Sequence, residues 1–378
     1  MRLLLATNSR DRGSTSRTME GWVRLLPASG VDPVVTVGGD GPLLSALETA
    51  GVDVHTHPIR VFFERRHPWP FLREAARMAW RIRRSRVQLV HVNEHEHYPV
   101  VARAAALARV PTVVHLRFRP DAAMCRWLFR PPYTPQRLFF TSQTQMDDSA
   151  DAVAPVVPRD RWRLVYNGLD LERFGLDPSA RARLRGEWHL GPDTLAIGTA
   201  SSISPRKRLS HFIRLISHLR SSGIDARGFI AGQPYFGEDE EELRALHALT
   251  AALDLGDSVT FLGYVEPSEP LYYAWDICVS TSAYETFGMT MLEAMACGCP
   301  VVAYPGGSVA EVVGDGGRIV EDGDEEALVR AVRSLAIDPS RRAQAAVAAR
   351  ARAERFDLRK SVELLVQEYR AVTGDRAS

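Results

Sequence analysis

Lysine is nearly absent from this chain. Of 47 lysine and arginine residues in 378, only Lys207 and Lys360 are lysine. The bias looks like codon pressure from a GC-rich genome. It marks each surviving lysine as a candidate for a position that wants a compact ammonium rather than a planar guanidinium. Cysteine is scarce as well. Cys125, Cys278, Cys297 and Cys299 form no paired framework, and Cys297-Gly-Cys299 is not zinc spacing. A reduced, cytoplasmic setting is the expectation. Long apolar runs are missing: none approaches the ~18–20 residues that span a bilayer. The opening MRLLLATNSRDRG has too short an apolar stretch for a signal peptide. What remains is an ordinary globular composition, 45% apolar and 25% charged with a net charge of +1. At ~100–200 residues per domain, the length predicts two domains.

Short apolar runs alternate with helix-period segments. Strands are expected at 3–7, 34–37, 52–55, 87–92, 112–115, 138–141 and 163–165. The segment 71–86 places Phe71, Ala75, Met78, Ala79 and Ile82 on one helical face. After a break carrying Asn-Gly and Gly-Pro turn signals and an arginine-rich helix, the rhythm resumes. Strands are expected at 195–200, 226–231, 258–261, 277–281, 301–304 and 317–320, and a last amphipathic helix at 356–372. Strand–helix alternation means βαβ units, a mostly parallel sheet and a doubly wound α/β layout. We read two Rossmann-like domains, 1–170 together with the tail 356–378, and 171–355, with a cleft between them.

The densest signal is DICVSTSAYETFGMTMLEAMACGCPVVAY, 276–304. It reads as strand, loop, helix, strand. Phe287, Gly288 and Met289 open the helix; Gly298 ends it and Pro300 leads into the next strand. A helix start presents unpaired N–H groups and partial positive charge, which suit a phosphate. Gly288 permits close backbone approach. Glu293, eight residues after Glu285, can accept from ribose hydroxyls; Glu285 can meet sugar hydroxyls. The spacing alone is equally that of a buried crossover helix with an incidental glutamate.

The stretch ETFGMTMLEAMACGCPVVA resembles the E-x7-E signature of retaining GT-B glycosyltransferases of the group 1, family 4 type. VYNGLDLERF, PRKRLSHFIRLISHLR, VTFLGYV and VPTVVHLRF resemble that family's other landmarks in register, so the likeness covers nearly the whole chain. It implies a GT-B fold, with two Rossmann-like domains facing a central cleft and a C-terminal helix crossing back to the first. It implies a metal-independent transferase with no cofactor, moving a hexose-type sugar from a nucleotide sugar, uridine-linked before guanosine-linked. Catalytic roles fall on Glu285, Lys207, Arg206 and His115, the last facing the sugar from the first domain. Donor-binding roles fall on Gly13, Ser14, Ser202, Val265, Phe287, Gly288, Met289, Thr290 and Glu293. Retention implies acceptor attack from the face the diphosphate leaves, with a leaving phosphate oxygen taking the proton; a double displacement through Glu285 is the other route. Two departures stand out. Ser201 and Ser202 replace the family's strand-end arginine, for which Arg206 or Arg208 is the candidate substitute, and the first loop, DRGSTSRT, lacks the usual glycine pair.

The acceptor is not legible. It is selected by first-domain loops near 8–20, 59–69, 93–99 and 116–135, and a small metabolite, a polysaccharide and a lipid carrier all fit. His91, Glu94, His95, Glu96 and His97 lack HExxH spacing, so they read as residues exposed near the acceptor cleft, one of them able to contact the acceptor, rather than metal ligands. Asp40-Gly41 is a turn and not a P-loop. Arg73, Arg77, Arg81 and Arg84 line the polar side of the 71–86 helix. With little apolar surface read beside them, they suggest a solvated face that leaves room for weak peripheral contact at the inner membrane face. Aromatic interleaving is too poor for nucleic acid. Two other classes share the architecture: a non-catalytic nucleotide-sugar-binding subunit, and a GT-B epimerase or phosphorylase.

Overall fold

The computed structural model describes residues 1–59, 68–235 and 237–374. Most of the expected 59–69 acceptor loop therefore lies outside the described residues. The chain divides into two units, Met1–Gly168 with the segment from Leu358 onward, and Leu169–Asp357.

Unit 1 is a parallel sheet of β1 (Arg2–Ala6), β2 (Asp32–Val37), β3 (Asp53–Thr56), β4 (Leu89–Val92), β5 (Thr112–Leu116), β6 (Arg137–Phe140) and β7 (Trp162–Leu164), in the order β3-β2-β1-β4-β5-β6-β7. Continuous apolar runs suit such strands because both faces are covered. Side chains alternate between two cores. Leu4, Ala6, Val90, Val92 and Val114 pack with Phe71, Met78 and Ile82 of the helix Pro68–Arg84. Leu3, Leu5, Leu89 and Val113 pack with Met19 and Trp22 of the helix Ser14–Leu25 and with the tail helix Leu358–Thr373. That tail buries Leu358, Val362, Leu365, Val366 and Tyr369. At about 1.5–3 kcal/mol for each large apolar side chain, this burial makes it an integral part of the unit. Glu368 adds ion pairs to Arg137 on β6 at 2.6 Å and Arg163 on β7 at 2.7 Å.

Unit 2 is a parallel sheet of β8 (Leu195–Ala200), β9 (Ala226–Ala231), β10 (Val259–Gly263), β11 (Ile277–Ser280), β12 (Val301–Ala303) and β13 (Gly317–Ile319), in the order β10-β9-β8-β11-β12-β13. The arginine-rich helix Pro178–Glu187 is structural. Arg181 and Arg185 pair with the buried Asp276 at 2.6 and 2.9 Å, and Asp276 also accepts from the Ala196 amide at 2.8 Å. Gly198 lies where any Cβ would sit 1.9 Å from the Trp275 ring.

The helix Pro68–Arg84 takes in residues 68–70, ahead of the position read from periodicity. All four cysteines are buried and unpaired. Among the described residues, no helix is long and apolar enough to cross a membrane.

Candidate active site

In unit 2 the strand order reverses between β8 and β11. At such a switch point the two outgoing loops part to opposite faces and leave a crevice at the C-terminal ends of the strands. The loop after β8 ends in a 3-10 turn, Pro205–Lys207; the loop after β11 leads into the helix Met289–Ala296. Lys207 and Glu285 meet there. The ammonium Nζ forms an ion pair with Glu285 Oε1, and their side chains are only 8% and 15% exposed. Ser282 Oγ donates to the same oxygen at 2.7 Å. The two loops are laced beneath the pair. The Ala283 amide donates to the Arg206 carbonyl at 2.8 Å, and Thr281 Oγ1 donates to the Lys207 carbonyl at 2.7 Å.

A third loop, after β12, supports the second. The Glu285 amide donates to the Gly306 carbonyl at 3.2 Å, and the Ser308 amide donates to the Glu285 carbonyl at 2.8 Å. Side chains are excluded here: a Cβ on Gly306 would lie 2.1 Å from the Ala283 carbonyl oxygen, and one on Gly307, at φ +65°, 2.3 Å from that of Glu285. Sequence reading missed this support. The available signal was a Gly-Gly pair directly after a strand end.

Gly288, at φ +93°, caps the helix Met289–Ala296, a backbone that favours glycine. Phe287 is buried with its edge toward Phe356, while Met289 and Thr290 are half-buried in the first turn. The helix start, with its partial positive charge, therefore follows Glu285 within a few residues. Glu293 is deeper, 1% exposed, and accepts from Tyr272 Oη at 2.7 Å, a partner not foreseen. Arg206 is exposed, with a long contact of 3.4 Å to the Tyr284 carbonyl. Arg208 pairs with Asp322 at 2.7 Å and so is engaged elsewhere. Ser202 is half-buried just past β8, and Val265 half-buried just past the edge strand β10.

In unit 1, Gly13 and the exposed Ser14 open the helix that follows β1, and a Cβ on Gly13 would meet nothing within 4 Å. His115 departs from expectation. It is fully buried, stacked on Trp22 at 5.0 Å, with Nδ1 2.7 Å from His91 Nε2; His91 Nδ1 in turn lies 2.6 Å from Tyr369 Oη. Strand alternation puts residue 115 on the same face as Val113, inside the core with the tail helix, so it does not present its ring to a sugar. The polar groups at the strand ends are others. This unit's order reverses between β1 and β4, and there Glu94 Oε1 accepts from Thr7 Oγ1 at 2.9 Å and Asn93 Nδ2 at 2.6 Å, while Oε2 has no partner. Burial raises the Glu94 carboxyl above its usual range. Arg117, pulled down to about 10 by burial, donates to the Asn93 carbonyl and to Asn167 Oδ1 at 2.9 and 2.8 Å. Its amide donates to His95 Nδ1 at 3.2 Å, which leaves the proton of this ring on Nε2. Burial lowers His95 to about 3 and His97 to about 4. Among the described residues, no group of three or more His, Cys, Asp or Glu side chains is gathered as a metal would require.

Residues 181–352 match the family of group 1 glycosyl transferases, and residues 15–173 match Glycosyltransferase Family 4. The chain is 33% identical over 218 residues to a D-inositol 3-phosphate glycosyltransferase of Stackebrandtia nassauensis, covering 56% of this chain and 48% of the relative. It is 35% identical over 195 residues to a GDP-mannose-dependent alpha-(1-6)-phosphatidylinositol monomannoside mannosyltransferase of Mycolicibacterium smegmatis, covering 48% and 49%. The chain thus spans about half the length of the curated relatives it matches. The Anabaena protein HepE, solved in complex with UDP and glucose, superposes with a TM-score of 0.85 at 23% identity, covering 98% of this chain and 99% of that one. Two parallel α/β units, each matched by a glycosyltransferase family, place this chain among the group 1, family 4 glycosyltransferases of GT-B fold.

Proposed function

We propose that the chain moves a hexose-type sugar from a nucleotide sugar to an acceptor hydroxyl with retention at the anomeric carbon, without a metal ion. The observation that carries this reading is the Lys207–Glu285 pair at the switch point of unit 2, directly before a glycine-capped helix start. Before donor binds, each charge holds the other in place. A diphosphate at the helix start takes the ammonium of Lys207 as its counter-charge, with the exposed Arg206 beside it. Glu285 is then released to accept from sugar hydroxyls, held by Ser282. Glu293, already fixed by Tyr272, suits a ribose hydroxyl.

In the transfer, the bond from the anomeric carbon to the diphosphate oxygen breaks, and the acceptor oxygen bonds to the same face. The acceptor proton passes to the leaving phosphate oxygen. Positioned charge stabilises that leaving group, so the chain's contribution is orientation and electrostatics rather than a dedicated base. His115, buried behind Trp22, has no part in this scheme.

Uridine is our first choice of base, in keeping with HepE. The relative named for GDP-mannose favours guanosine as the second reading. A panel of UDP- and GDP-linked hexoses, read by thermal shift, tests the proposal. A selective rise in Tm with one base supports it. The same rise in a Lys207→Ala variant would refute the role given to the ion pair.

A further inference from the structure

We infer that the outer face of the helix Pro68–Arg84 seats unit 1 on an anionic lipid surface, its arginines meeting lipid phosphates and Trp69 and Trp80 entering the headgroup layer. The inference does not rest on the proposed transfer reaction.

The helix buries Phe71, Ala75, Met78, Ala79 and Ile82. At 100° per residue, Trp69, Arg73, Ala76, Arg77, Trp80 and Arg84 fall together on the opposite side, within an arc of roughly 100°. All six are exposed or partly so; Trp69 is 77% and Trp80 61% exposed. The apolar surface missing from the sequence reading is therefore present. The helix start at Pro68 brings in Trp69, and Trp80 projects among the arginines instead of joining the core.

The charge is one-sided. Residues 68–86 hold six arginines and one acid, Glu74, in a chain whose net charge is +1. Glu74, its side chain 13% exposed, lies 2.7 Å from His57 and 3.8 Å from Arg77, so this one acid offsets at most one arginine of the outer face. Arg84 lies over the Trp80 ring at 5.3 Å, so the cation and the aromatic anchor share one spot.

Two hollows flank the helix and differ in character. One, of about 680 Å³, is lined by His57, Arg73, Glu74, Arg77, Trp80 and Arg81; Arg81 Nη1 is buried there without a hydrogen-bond partner. It is shaped for an anionic headgroup. The other, about 270 Å³, is lined by Pro68, Phe71, Leu72, Pro99 and Trp127 with Arg103 and Arg130, and its surface is mostly apolar. Leu72, 46% exposed, stands at its rim. A polyanion such as RNA would use the arginines but would find no use for an apolar hollow beside them. A bilayer surface uses both, as interfacial amphipathic helices do. No helix among the described residues spans a membrane, so the contact is peripheral.

The test is flotation of the full chain with phosphatidylcholine vesicles and with vesicles that also contain phosphatidylglycerol, alongside tryptophan quenching by bromine-labelled lipid. The chain should float with the anionic vesicles only, and its fluorescence should be quenched. The triple variant Arg73→Glu, Arg77→Glu, Arg84→Glu should bind them on the order of 100-fold more weakly, since each near-surface arginine contributes a several-fold factor. Trp69→Ala with Trp80→Ala should abolish quenching and weaken binding by roughly tenfold. Both variants alter exposed positions, and circular dichroism with Tm checks that they fold. Equal binding to neutral vesicles, or undiminished binding by the triple variant, would overturn the inference. So would capture by RNA or heparin with no vesicle binding, which would make the face a general polyanion site.

Discussion

Replacing Lys207 by alanine examines the ion pair from two sides. The side chains of Lys207 and Glu285 are 8% and 15% exposed, so the pair is largely withdrawn from water. Removing the ammonium leaves the Glu285 carboxylate with Ser282 Oγ as its remaining partner on Oε1. An uncompensated buried charge costs about 3–5 kcal/mol, so Lys207→Ala should lower Tm measurably. If the lysine also neutralises the leaving diphosphate, turnover should fall ~10²-fold or more, about 2.7 kcal/mol in the transition state. The two effects separate in the double variant Lys207→Ala, Glu285→Gln. Neutralising the carboxylate should restore most of the lost stability while activity stays down. Lys207→Arg should rescue turnover only in part, because the buried position of Lys207 holds a point charge and not a planar fork. Lys360→Ala, in the tail helix of unit 1, is the control and should leave turnover unchanged. Steady-state rates with a saturating donor, paired with thermal melts, give both readouts. If the double variant recovers turnover together with stability, the lysine is structural and the reasoning fails.

Asp276→Ala should destabilise unit 2 by about 3 kcal/mol, since Arg181, Arg185 and the Ala196 amide lose its carboxylate at once and keep only carbonyl partners for the two arginines; urea melts measure this, and a loss under about 1 kcal/mol would contradict it. Acid should weaken unit 1. His95 and His97 titrate near 3 and 4 in the fold and near 6.5 unfolded, so the unfolded chain takes up protons first as pH falls. Their stabilising contribution is complete above about pH 6.5 and shrinks by about 2 kcal/mol each between pH 7 and 5, which melts at those two pH values would show, reduced in His95→Gln, His97→Gln. Turnover should persist in EDTA, because the proposed counter-charges are Lys207, Arg206 and helix amides; loss restored by magnesium or manganese would contradict it.

The strands were legible because buried parallel strands read as short apolar runs, and all thirteen lie where those runs fall. Lys207 and Glu285 were assigned to one site through the family resemblance; their direct pairing was not foreseen, and the fold explains it. Each follows a strand by a few residues, and the order of a doubly wound sheet brings those two strand ends together. Other features depend on contacts that no local pattern encodes. The burial of His115 comes with Trp22 and His91, distant in sequence, and His91 is in turn held by Tyr369 of the tail helix. Arg117 lies two residues past His115, just beyond the end of β5, with its guanidinium over the Trp22 ring and bonded to the Asn93 carbonyl, a polar group at the strand ends that the resemblance did not mark. The sequence reading gave only an arginine-rich helix, and no local pattern encodes the pairing of Arg181 and Arg185 with the distant Asp276. The outer face of the Pro68–Arg84 helix was half read: its arginines follow from helical spacing, but the exposure of Trp69 and Trp80 shows only in three dimensions.

The central claim is sugar transfer with retention, organised by Glu285 and Lys207. Its most direct test follows donor hydrolysis by proton NMR with UDP- and GDP-linked hexoses, for the native chain and for Glu285→Gln. The account predicts slow release of free sugar that first appears as the anomer present in the donor, together with nucleoside diphosphate. In Glu285→Gln that release should vanish while nucleotide binding persists. Release of the inverted anomer, or sugar release by Glu285→Gln within about threefold of native, a difference below ~1 kcal/mol, would contradict it.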